Sequence, residues 1–64
     1  MNTTTATAAE ILADSAAYVG RTLGSKGTIT SIEARGGSIW FTYTRGTATG
    51  TIAYRPGRNL TVKG

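Results

Sequence analysis

The sequence predicts a mainly β (α+β) domain in which one short N-terminal helix precedes five short strands. Two observations predict this organisation. Apolar residues recur at helical spacing only in the segment before Gly20. After it, seven glycines divide the chain into pieces rich in threonine, isoleucine, tyrosine and valine, which is typical of strands joined by turns. A chain of 64 residues has room for one domain, which we expect over residues 7–64.

The helix is predicted over about residues 8–18. Residues 1–6 are rich in threonine and have no apolar period, so we expect a flexible N-terminal tail there. Thr7 and Glu10 have the spacing of a capping box, which would begin the helix. Gly20 would end it. Ala8, Leu12, Ala16 and Val19 would form one apolar stripe on the helix, with Ile11 beside it.

The remaining chain is predicted to form five strands, at roughly 19–23, 27–35, 38–45, 49–55 and 59–63. The pair Gly36-Gly37 predicts a tight hairpin, because such turns require positive φ. Ile29 and Ile32 differ in parity, so the second strand should contain a bulge. Pro56 cannot continue a ladder and predicts a turn before the last strand. The large apolar side chains should form the core, which we expect to include Ile29, Ile32, Ile39, Phe41, Ile52, Leu60 and Val62.

This pattern resembles a known architecture. Five short strands, a bent second strand and a one-turn corner before the last strand resemble the small barrel of Src-homology-three type. Within it, the segment 24–32, followed by Gly37 and Ile39, resembles the KOW hairpin of ribosomal and transcription-elongation proteins, in which a glycine precedes a hydrophobic–x–x–hydrophobic strand. The resemblance implies a five-stranded antiparallel small β-barrel over about 19–64, on a scaffold that often binds nucleic acid or protein.

Charge is distributed unevenly along the chain. All seven basic residues lie at or after Arg21, where Glu33 is the one acid, so that segment carries +6 (seven minus one). A small unit with charge of one sign attracts nucleic acid phosphate. We therefore predict a nucleic-acid-binding protein of modest sequence specificity, without distinguishing DNA from RNA. The predicted phosphate contacts are Lys26, Arg35, Arg45, Arg55 and Arg58, and the predicted base or sugar contacts are Trp40 and Tyr43.

Trp40 has two interpretations. Strand alternation places it opposite Ile39 and Phe41, so it could lie exposed on the outer face of the sheet and stack on bases. Alternatively, the apolar stripe of the N-terminal helix could cover it. In that case Tyr18, Tyr43 and the arginines of the loops would be the contact candidates.

A second function remains open, namely a protein-interaction module such as a small phage- or plasmid-type accessory or inhibitor protein. It would bind an acidic partner or self-associate, and we expect a monomer or homodimer. Catalysis is not expected, because the chain has no histidine and no cysteine and its few carboxylates have structural explanations. We expect no cofactor, no metal and no membrane association. An intracellular, cytoplasmic location is the expectation in the absence of a secretion signal.

Overall fold

One antiparallel sheet of six strands carries the fold, and two short helices pack against its apolar face. The computed structural model describes residues 3–64. The strands lie side by side in the order β1-β6-β2-β3-β4-β5, so β1 and β5 form the two edges. In chain order the elements are β1 (Thr3–Thr7), α1 (Ala8–Ala13), α2 (Ser15–Tyr18), β2 (Thr22–Leu23), β3 (Gly27–Arg35), β4 (Ser38–Arg45), β5 (Ala48–Tyr54) and β6 (Asn59–Lys63).

The prediction of a closed five-stranded barrel is wrong, because the sheet is open and has a sixth strand. That strand comes from the predicted flexible tail: Thr3–Thr7 pairs with β6 from Thr3 opposite Lys63 to Thr7 opposite Asn59. Threonine is β-branched and favours extended backbone, and Ala6 is buried in the core. Both properties suit a strand rather than a tail. Met1 and Asn2, which the prediction also assigned to the tail, lie outside the described residues.

The predicted helix is present but is interrupted at Asp14, where the backbone leaves helical geometry (φ −127°, ψ 45°). Aspartate has a low helix propensity, which is consistent with a break at this residue, although its side chain makes no capping hydrogen bond. The capping box is confirmed: the Glu10 amide donates to Thr7 Oγ1 at 3.2 Å, and the Thr7 amide donates to Glu10 Oε1 at 2.8 Å. These bonds satisfy two polar groups at the start of α1.

The capping box makes a testable contribution to stability. Hydrogen bonds from the Thr7 amide and hydroxyl lower the pKa of Glu10 below its ordinary value. A carboxylate whose pKa is lowered in the folded state stabilises the protein above its unfolded-state pKa, and this contribution disappears as the pH falls through the folded-state value. Thr7→Ala should reduce the free energy of unfolding by about 0.5–2 kcal/mol at neutral pH. In this variant the backbone amide of residue 7 can still donate to Glu10, and the lost bond from the Glu10 amide to Thr7 Oγ1 involves no titrating atom, so most of the difference should persist below about pH 4 in urea titrations; a difference that disappears there would contradict the cap.

The remaining strands follow the prediction closely. β3, β4 and β6 have the predicted bounds, β5 is displaced by one residue, and β2 is shorter than expected. Gly36 and Gly37 both adopt positive φ in the hairpin turn (58° and 81°). The predicted bulge is confirmed, since the pairing of β3 with β4 shifts between Ile29 and Ser31. The predicted turn at Pro56 is closed by a hydrogen bond that the Arg58 amide donates to the Arg55 carbonyl at 3.0 Å.

The core lies between the helices and one face of the sheet. Most of the predicted core is confirmed, but Ile32 and Ile52 are only half-buried and pack against its margin. Four buried residues were not predicted: Ala6 from β1, Ala8 and Ile11 from α1, and Leu23 from β2. Their burial follows from the N-terminal strand and helix docking on the same face. The buried side chains are Ala6, Ala8, Ile11, Leu23, Ile29, Ile39, Phe41, Leu60 and Val62.

Candidate functional site

Three adjoining clefts form a continuous depression from the β2–β3 loop to the turn after β5. Their volumes are about 410, 240 and 510 Å³. The middle cleft shares Ser25 and Lys26 with the first and Tyr54 and Arg58 with the last. We call this depression the basic cleft, because four of the seven basic residues line it together with two tyrosines. These six residues are Lys26, Tyr43, Arg45, Tyr54, Arg55 and Arg58.

Lys26 is brought to the cleft by the short loop between β2 and β3. The Lys26 amide donates to the Leu23 carbonyl at 2.8 Å, and the Gly24 amide donates to the Thr61 carbonyl at 2.8 Å. The loop then passes closely over the end of β4, where a side chain at Gly27 would collide with the Thr44 carbonyl and contact Arg45. Gly27 therefore allows the loop to approach β4, so that Lys26 and Arg45 line the same cleft.

Tyr43 lies at the same end of the sheet, on the face that carries the core. It is paired with Gly50 of the neighbouring strand, and its ring lies directly across that glycine. A Cβ atom at Gly50 would be only 2.6–2.9 Å from Cζ, Cε1 and the hydroxyl oxygen of Tyr43. The missing side chain thus creates the space in which the ring rests. Tyr43 is half-buried and lines the cleft.

Tyr54 and Arg58 form the other end of the basic cleft. The Tyr54 ring packs edge-on against Phe41, with centroids 5.8 Å apart, and the Arg58 guanidinium lies 5.9 Å from the Tyr54 ring centre. A guanidinium over an aromatic ring is electrostatically attracted to it. The backbone of the turn is also anchored to α1, because the Ala8 and Ala9 amides donate to the Arg58 and Pro56 carbonyls at 3.0 Å. The backbone of this turn and the Tyr54 ring are consequently held in place, while the Arg58 side chain is exposed.

The basic cleft is electrostatically uncompensated. Among residues 3–64, no aspartate or glutamate lines any of the three clefts, and the one ion pair joins Arg35 Nη2 to Glu33 Oε1 at 2.7 Å. Glu10 is engaged in the helix cap. The four cations of the cleft therefore have no carboxylate partner in this part of the chain, and they raise the local concentration of anions.

Arg35 and Trp40, also predicted as contacts, lie elsewhere. Trp40 faces away from the core, between Glu33 and Ala53 on the neighbouring strands, and is half-exposed. The helices pack on the opposite face, so the interpretation in which the N-terminal helix covers Trp40 is wrong. The Arg35 guanidinium lies 5.8 Å from the Trp40 ring centre and pairs with Glu33. These residues form a separate, internally compensated group.

The structure therefore brings together five of the seven predicted contact residues and adds Tyr54. Tyr54 shares the parity of Ile52 in β5, which places it on the core face, and the turn at Gly57 returns Arg58 towards it. The spacing of a tyrosine, a Pro-Gly turn and an arginine was the available signal in the sequence.

Other kinds of site find little support in the described chain. Within residues 3–64, carboxylates form no group of three or more that could hold a metal ion. Neither helix of this part of the chain has the length and apolar character that crossing a membrane requires. No protein-family model, no curated protein and no solved structure matches the chain. The resemblance to a KOW hairpin thus stays a prediction.

Proposed function

We propose that this protein binds nucleic acid along the basic cleft. The observation that carries the proposal is the grouping of four unpaired cations and two tyrosines on three adjoining clefts that no carboxylate of residues 3–64 lines. Several cations on one surface suit the repeating charge of a phosphate backbone, and each neutralised phosphate releases counterions. Interleaved aromatic rings suit bases or sugars.

Three of the four cations are arginines, which favours nucleic acid over a small anion. A guanidinium presents several donors in a planar fork and binds phosphate oxygens in pairs. Arg45, Arg55 and Arg58 lie at strand ends and in a turn, so their side chains can follow a flexible ligand. The affinity should therefore come from several similar contacts and not from one dominant contact.

Sequence specificity should be modest. Groove reading by a helix requires an exposed helix with donors for base edges. Here α1 has six residues, begins with an acidic first turn and has Ile11 buried in the core. Contacts to phosphate position a protein without reading sequence. We therefore expect similar affinities for unrelated sequences of equal length.

The test is a polarisation titration with labelled DNA and RNA at several salt concentrations. With about four phosphate contacts on duplex DNA, log K should fall against log salt with a slope of about −3 to −4. Arg45→Ala and Lys26→Ala should each weaken binding to all sequences and flatten the slope by about one unit. Lys63→Ala is the matched control, because it removes an exposed charge that does not line the cleft. Equal flattening by Lys63→Ala would mean diffuse attraction without a site.

A second candidate function is binding of an acidic protein segment, and the edge strand β5 favours it. Among residues 3–64, β5 pairs only with β4; it carries no charge from Ala48 to Tyr54 and has Arg45 and Arg55 beyond its two ends. An uncharged edge can accept an additional strand, and flanking arginines would attract an acidic one. If neither DNA nor RNA binds at low salt, an acidic extended peptide becomes the ligand to test.

A further inference from the structure

The Lys26 end of the basic cleft is built around an aromatic ring that rests on bare backbone. The Tyr43 ring lies over Gly50, whose lack of a side chain allows this position, and the rest of the ring surface borders a cleft of about 410 Å³. A half-buried tyrosine fixed in this way is a flat apolar surface beside water, which suits a planar aromatic ligand.

Polar groups surround this ring in an arrangement that suits a nucleotide. Lys26 and Arg45 provide positive charge, while Ser25 provides a hydroxyl group that can either donate or accept a hydrogen bond. A hydroxyl that serves both roles can contact any base edge, which agrees with modest sequence specificity. The cleft therefore combines a stacking surface, phosphate-binding cations and an uncommitted hydroxyl group.

We propose that Tyr43 stacks against one unpaired base, so that the protein binds single-stranded nucleic acid in preference to duplex. The inference rests on the proposed function and names the strand form that the cleft accepts. In a duplex, both faces of each base are stacked, so the base reaches an aromatic ring only after extrusion, which costs a few kcal/mol. A single strand presents its bases without that cost, and stacking tolerates every base.

Gly50 is the positioning residue of this arrangement. Its φ is not positive, so alanine is compatible with the backbone there, but the added methyl group would lie 2.6 Å from Cζ of the Tyr43 ring. The half-buried ring would have to move away from its position. Gly50→Ala thus retains the tyrosine but displaces its ring. The variant therefore tests whether binding requires this position of the ring or only the presence of an aromatic residue.

The experiment measures binding of labelled 15-nucleotide oligothymidylate, oligouridylate and a 15-base-pair duplex DNA at two salt concentrations. The single strands should bind at least tenfold more tightly than the duplex. Tyr43→Ala should weaken single-strand binding by about 5- to 150-fold without changing the salt slope, because stacking releases no ions. Tyr43→Phe should retain the wild-type affinity. Gly50→Ala should lose nearly as much affinity for single strands as Tyr43→Ala does. Thr51→Ala, an exposed change on the same strand outside the cleft, is the control.

The outcomes separate the two proposals. Equal affinity for duplex and single strands, or loss of both in Tyr43→Ala, would overturn the single-strand inference, while a salt slope that Lys26→Ala flattens would still support nucleic acid binding. Absence of binding to every probe would refute the proposed function itself. Circular dichroism and thermal melting verify the fold of each variant. Should Gly50→Ala fail to fold, comparison of Tyr43→Ala with Tyr43→Phe still decides the inference.

Discussion

Phe41→Ala is expected to unfold the protein. The Phe41 side chain is completely buried at the centre of β4 and contacts Tyr54 edge-on. Removing a buried phenylalanine side chain costs about 3–5 kcal/mol, through lost burial and the cavity left behind. A domain of this size with no disulfide has a total stability of only ~3–5 kcal/mol. The variant should therefore lack a cooperative thermal transition when followed by circular dichroism.

Thr42→Ala is the matched control for this experiment. Thr42 is the next residue of the same strand, and its side chain faces away from the core. The substitution should leave a cooperative transition, with a stability loss of less than about 1 kcal/mol from lower β propensity. A Phe41→Ala variant that melts at the wild-type temperature would show that β4 does not support the core.

Deletion of residues 1–6 is the second change with a large expected effect. It removes β1 as a strand, exposes one side of β6 and removes the buried Ala6. The loss of stability should be comparable with the whole stability of ~3–5 kcal/mol, because the deletion leaves one edge of β6 unpaired and part of the core uncovered. The amide resonances of the truncated protein should lose their dispersion in a heteronuclear NMR spectrum.

Thr5→Ser is the control that changes the composition of β1 but keeps the strand. It retains the pairing of position 5 with Thr61 and changes one exposed side chain, so the protein should remain folded. If the truncated protein instead unfolded at the same urea concentration as the full chain, residues 1–6 would behave as the flexible tail that the sequence predicts. The two variants together distinguish a strand that the fold requires from a dispensable one.

The elements that the sequence predicts well are those specified by neighbouring residues. The bounds of β3 and β4 follow from alternation on both sides of Gly36-Gly37, and the capping box follows from Thr7 and Glu10. β1 differs, because its partner β6 lies at the other end of the chain and threonines without apolar alternation provide no local signal. The barrel prediction failed for the same reason, since the edge that β1 occupies depends on a distant pairing.

The sequence predicts which types of residue form the candidate site, but not which of them lie together in the basic cleft. The charge skew identified the cations, four of which share the basic cleft. Arg35 and Trp40 were assigned with them because local alternation shows which residues share a strand face, whereas grouping depends on how the loops fold back. Tyr54 was missed because its role arises from the turn that brings Arg58 over its ring.

The position of β6 in the sheet affects how the protein folds during translation. This last strand lies in the interior of the sheet, between β1 and β2, and Leu60 and Val62 complete the core. During translation, the earlier segments lack that central strand until residue 63 has left the ribosome. Such long-range pairing slows folding and leaves apolar segments temporarily uncovered. The sheet should therefore form only after β6 has emerged, in one step rather than progressively.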